Sequence, residues 1–268
     1  MKMFSGITDF FENLANDPAS TLITLAYIAV CIFFSLILHE CAHGWVALKC
    51  GDPTAKMLGR LTLNPAKHLD PFGTVCMLFL RVGWAKPVPI NPRNFRHYRR
   101  DYILVSLAGI VTNLLMCFIS LIISALLCKL IYTPKFLSQN KLYLSDLIDS
   151  YHIWAYNISE GNIAHALINS DGSVIAEAAV YIQRFFLLMS RMNLGLAVFN
   201  LIPIPPLDGY RFLDMFVFKG RLMIDQKVAS MLSIGFMVLL LSGVLDNLLM
   251  LINSTVLGLL CNVVSFII

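Results

Sequence analysis

The chain has 268 residues, 58% of them hydrophobic and only 13% charged, with a formal net charge of +4. That balance excludes an ordinary soluble domain and suits one membrane unit, read as a single domain over 1–268 with its core at 21–211 and C-terminal helices at 228–268. The bases sit beside apolar runs and form neither a free tail nor an aromatic-interleaved stripe, so the expected partner is a lipid bilayer and not nucleic acid.

In chain order, residues 1–20 lack the short apolar stretch and small-residue cleavage site of a removed signal peptide, and are expected to be retained. No charge falls between Asp17 and Glu40. This run and its continuation to residue 50 are long enough for a first crossing. Residues 102–128 and 178–207 are expected as the second and third. Residues 228–268 read as a fourth crossing, broken near Ser242, Gly243 and Asp246, followed by a fifth apolar segment. Between the first two crossings, GRLTLNPAKHLDPFGTVCMLFLRVGWAKPVPINP mixes Gly, Pro and β-formers around an apolar patch too short to span. It reads as a small sheet or re-entrant loop. The expected fold class is therefore an all-α polytopic membrane protein with about four to five transmembrane helices and a small β or re-entrant segment at the cytoplasmic face. The seven cysteines are scattered without a CxxC pair and read as buried free thiols.

Charge orients the crossings. Residues 49–101 carry ten Lys or Arg against three Asp, whereas residues 129–177 carry three Lys against five acids. By the positive-inside bias the first segment and residues 209–227 are cytoplasmic, and the N-terminus and residues 129–177 are outside.

Ionisable groups within such a span are costly and point to a site. FFSLILHECAHGWVALKC places His39 and His43 four residues apart near the end of the first crossing. On a helix both rings project from one face and can close on a single metal ion. This is the HExxH zinc arrangement, with Glu40 as candidate general base. Two histidines leave a tetrahedral zinc in need of a further protein ligand. In FNLIPIPPLDGYR, Pro203, Pro205 and Pro206 end the third crossing and leave Asp208 before a Gly209 turn. The loop charges bring Asp208 to the same membrane face as the histidines, so it is the expected third ligand. His68, in NPAKHLDP, is a weaker candidate, and its spacing suits a satisfied loop histidine better.

HECAHGW on a membrane helix, together with FNLIPIPPLDG, resembles the site-2 protease family of intramembrane zinc metalloproteases. GDPTAK, GRLTLNPAKHLDPFG and GWAKPVPINP extend the resemblance over roughly residues 36–211, and suggest the compact bacterial type without PDZ or CBS domains. The resemblance implies one zinc per chain, cleavage of a membrane protein within or near a transmembrane segment, and a role in regulated intramembrane proteolysis. It also implies that Asn200 helps to hold the substrate or the oxyanion. The family's A-G-P-x-x-N pattern reads AGIVTN here, so Ile110 replaces a proline while Asn113 remains as a polar group facing the cavity, the other substrate or oxyanion candidate.

The expected chemistry is metal-assisted peptide hydrolysis, in which Glu40 takes a proton from water and passes it to the leaving amine. The substrate helix must unwind first, and an edge strand from residues 49–101 is one way of holding it. Two rivals use the same residues: a metal-ion carrier, and an inactive homologue that binds membrane helices. The first lacks the paired halves common in transporters. The intact His39, Glu40, His43 and Asp208 set speaks against the second.

Overall fold

The computed structural model describes residues 15–71, 73, 85–131, 177–222 and 224–267. Seven α-helices follow one another among them. They are α1 (Pro18–Cys50), α2 (Thr54–Met57), α3 (Tyr98–Ile131), α4 (Glu177–Asn200), α5 (Asp208–Phe216), α6 (Gln226–Leu241) and α7 (Asp246–Ile267).

Among the described residues three stretches are long and apolar enough to cross a membrane: Thr21–Cys50, Tyr98–Cys128 and Asp246–Val264. The expectation of four to five crossings is therefore met in part. Of the expected third crossing, 178–207, the part up to Asn200 is helical, but Arg184, Arg191, Gln183 and Asn193 lower its hydropathy, and it is not among these three stretches. α6 has 16 residues, or about 24 Å at 1.5 Å per residue, against a hydrocarbon core of about 30 Å. The last apolar segment is long and apolar enough to span.

The side chains are arranged as a bilayer demands. Along α3, Leu104, Val111, Leu115, Ile119, Leu126 and Leu130 are exposed, while Ser106, Asn113, Ser120 and Ser124 are buried. Large apolar groups thus face outward, and small or polar groups face protein, where their hydrogen bonds can be met.

The expected small sheet is not found: among the described residues there is no strand, only an isolated antiparallel bridge between Leu69 and Ala85. The cause lies in the sequence. Pro87, Pro89 and Pro92 have no N–H to give to a ladder, and side chains take the donors that remain. Fully buried Asp52 accepts from the backbone N–H groups of Thr54 (3.1 Å) and Asn91 (2.7 Å) and from Asn94 Nδ2 (2.8 Å). Arg60 donates to the carbonyls of Lys86 and Pro87, and Lys86 N–H to His68 O at 2.8 Å. The apolar patch of the suggested re-entrant loop, residues 74–80, lies outside the described residues.

The chain divides into two compact units. The first takes Met1–Leu114 and Gly195–Met250, the second Leu115–Leu194 and Leu251–Ile268. In the first, Arg99 donates to the carbonyls of Met215 and Phe216, tying the start of α3 to the end of α5 and placing a cation where that helix dipole is negative. In the second, buried Gln183 donates to Ser124 O at 3.0 Å.

Candidate metal centre

The first unit brings His39, His43 and Asp208 together, all three buried. The histidines come from α1, four residues apart, with ring centroids 4.7 Å apart and planes at 78°. Asp208 opens α5. Directly before it, residues 201–207 form a tight turn in which Leu207 N–H bonds Ile204 O at 3.0 Å. Gly209 is required here, because a Cβ at this position would stand 2.3 Å from Leu201 O.

Asp208 Oδ2 lies 3.2 Å from His39 Nε2 and 3.0 Å from His43 Nε2, and the two Nε2 atoms are 3.1 Å apart. His43 Nδ1 faces Val105 O at 2.7 Å. A carbonyl can only accept, so Nδ1 carries the ring proton and Nε2 presents a lone pair to the carboxylate.

The remaining sequence candidates have partners of their own. Glu40 is half-buried, and its Oε2 accepts the Val88 N–H at 2.7 Å. Asn113 is fully buried, with Nδ2 3.2 Å from His39 Nδ1. Asn200 turns away along its own helix, donating from Nδ2 to Leu196 O at 2.9 Å. His68 is not among the three converging groups: its Nε2 lies 2.7 Å from Thr62 O and 3.8 Å from Cys41 Sγ. A cavity of about 140 Å³ opens beside His43, walled by Pro87, Val88, Ile90, Phe95, Tyr102 and Val105, with Arg211 and Ser106 as polar members.

Comparison with known proteins turns this geometry into an assignment. A sequence model described as Peptidase family M50 matches residues 27–242. Over 216 residues the chain is 36% identical to a protein of Bacillus subtilis (strain 168) named "Putative zinc metalloprotease YwhC", covering 81% of this chain and 79% of that one. The chain belongs to peptidase family M50, the site-2 proteases. No solved structure matches it. Membership supports a membrane metalloprotease and implies zinc, so the family expected from HECAH and PIPPLDG is the family found.

The residues present fit such an ion. His43 Nε2 and Asp208 Oδ2 face each other at 3.0 Å as lone-pair atoms, with His39 Nε2 3.1–3.2 Å from both, a repulsion that positive charge among them relieves. Zinc–ligand bonds of about 2.0–2.1 Å in a tetrahedron place ligand atoms about 3.3–3.4 Å apart, close to the spacing here. The donor set, two imidazoles and a carboxylate, is one that zinc takes in hydrolytic sites.

Sequence reasoning missed the backbone partners, Val105 O and Val88 N–H, because main-chain groups leave no trace in residue identity. Gly109 was also passed over. A Cβ there would lie 2.4–2.6 Å from three atoms of the His39 ring, and its four-residue spacing from both Val105 and Asn113 was the available signal.

Proposed function

We propose that this M50 peptidase hydrolyses a peptide bond within or near a transmembrane segment of a membrane-protein substrate, with its site near the cytoplasmic face and the N-terminus outside. The observation that carries this reading is the buried triangle of His39, His43 and Asp208 with Glu40 next to it in the chain, in a molecule whose exposed helix faces are apolar. Loop charges support the orientation.

His39 Nε2, His43 Nε2 and an Asp208 oxygen would hold one zinc. The chemistry supplied by zinc in such a donor set is Lewis-acid activation of water and of a carbonyl. His43 is oriented by the Val105 carbonyl. Glu40 serves as general base and returns the proton to the departing amine. With Oε2 held by the Val88 N–H, Oε1 is the oxygen left for proton transfer. The apolar wall of the cavity beside His43 suits a side chain flanking the scissile bond. Asn200 would reach a substrate carbonyl after releasing Leu196 O.

The test is cleavage of a single-span reporter protein by the detergent-purified chain with zinc. Parent protein cuts inside or beside the span, and Glu40→Gln does not. A chain that holds zinc and leaves every span intact overturns the reading.

A further inference from the structure

We propose that Asn113 is a positioning residue: its side-chain amide anchors Nδ1 of His39, donating or accepting as the tautomer requires, and so leaves Nε2 as the nitrogen turned to the metal. The inference rests on the reading of His39 as a zinc ligand, and departs from the expectation that Asn113 meets the substrate.

Val105, Gly109 and Asn113 follow one another at four-residue intervals, so they form a single rail along one face of α3. Each does something different to the two imidazoles on α1. The Val105 carbonyl takes the Nδ1 proton of His43 at 2.7 Å. Gly109 lets the ring of His39 lie against the α3 backbone, where any side chain would collide with it. Asn113, fully buried, meets Nδ1 of that ring at 3.2 Å. Each histidine therefore has its Nδ1 held by α3 while its Nε2 points at Asp208.

The amide has two useful orientations. As placed, Nδ2 faces His39 Nδ1 and Oδ1 is buried without a partner. This donor arrangement requires a lone pair on Nδ1, so the ring proton sits on Nε2, 3.2 Å from Asp208 Oδ2. Rotating the amide by half a turn exchanges oxygen and nitrogen with almost no change in shape. Oδ1 then accepts Nδ1–H, and Nε2 is left as a lone pair. The second arrangement is the one that metal binding needs, since a ligating histidine donates its other ring N–H to an acceptor. A side chain that donates and accepts equally well can serve both tautomers, which explains an amide at this position in place of a carboxylate.

The test compares Asn113→Leu and Asn113→Asp with the parent, reading zinc affinity by competition with a chromogenic chelator and thermal unfolding of the metal-free proteins. Leucine offers no acceptor, and a 10–100-fold weaker zinc affinity is expected, the range typical of lost ligand-orienting partners. Aspartate offers an acceptor and is expected to hold zinc at least as tightly as the parent. Its behaviour decides the matter even if the leucine variant fails to fold, because a purely structural role would make aspartate the more damaging change. Zinc affinity of Asn113→Leu within twofold of the parent, or Asn113→Asp weakened tenfold or more, overturns the inference. A parent that binds no zinc instead removes the metal reading on which it rests.

Discussion

Glu40 and His39 are neighbours in the chain with separate tasks. One helical step turns them about 100° apart, so His39 joins the triangle while Glu40 meets the Val88 N–H. Glu40→Gln is expected to retain zinc, measured by mass spectrometry, and to lose reporter cleavage by about 10²- to 10⁴-fold, the usual worth of a general base. Asp52 is a residue of another kind, binding the end of α1 to the segment after Ala85. Burial raises its proton affinity, but hydrogen bonds from Thr54, Asn91 and Asn94 outweigh burial and keep its carboxyl below the usual carboxylate range. A pKa lowered by folding gives stability that is present above the unfolded value and is lost as pH falls through the folded one. Asp52→Asn should therefore cost about 2 kcal/mol near neutral pH. The gap in unfolding temperature between parent and variant should close below about pH 4, where the unfolded carboxyl is protonated. At this scale HECAH and PPLDG were legible in the sequence because ionisable residues are rare in apolar runs. The partners that are backbone atoms were not.

Three helices build the centre: α1 supplies both imidazoles, α5 the carboxylate, and α3 the rail behind the rings. Two glycines let backbones approach closely. Gly209→Ala would press a methyl into the Leu201 and Ile202 carbonyls, which are main chain and yield little. A loss of about 1–3 kcal/mol in unfolding stability is expected, with reduced zinc content. Gly109→Ala should weaken zinc binding by displacing the His39 ring, as read by the same chelator competition. The helices were legible from long uncharged runs, and so was the break near Ser242, where Gly243 takes a positive φ of 73°. Between α1 and α3 the β-formers suggested a small sheet, but among the described residues prolines remove ladder donors, and Asp52, Arg60 and His68 O meet the backbone groups that remain.

At the level of the whole molecule, the exposed apolar and buried polar faces of α3 mark a membrane protein, and the loop charges predict an orientation that can be tested. In a cysteine-depleted protein, a cysteine at exposed Lys56 or Arg221 should escape a membrane-impermeant thiol reagent in intact cells. One at Ser138, outside the described residues, should react. Lys56 serves better than neighbouring Gly51, whose φ of 111° disfavours a side chain. Labelling of Lys56→Cys from outside would reverse the topology. Which helices cross was only partly legible, because a span interrupted by arginines and amides, such as α4, differs little in sequence from a helix packed within the protein.

Asp208 stands 165 residues from His43 in the chain, and only the fold places its Oδ2 3.0 Å from the His43 ring. Metal content therefore tests the centre most directly, measured by mass spectrometry on detergent-purified parent, Asp208→Ala and Asp225→Ala. Asp225 is an exposed helix-capping position whose side chain makes no capping bond, so it controls for loss of an acid. One zinc per chain is expected in the parent and in Asp225→Ala, with a large loss in Asp208→Ala, since removing an anionic ligand leaves two imidazoles to hold the ion. Zinc retained by Asp208→Ala at the parent level would contradict the three-residue centre.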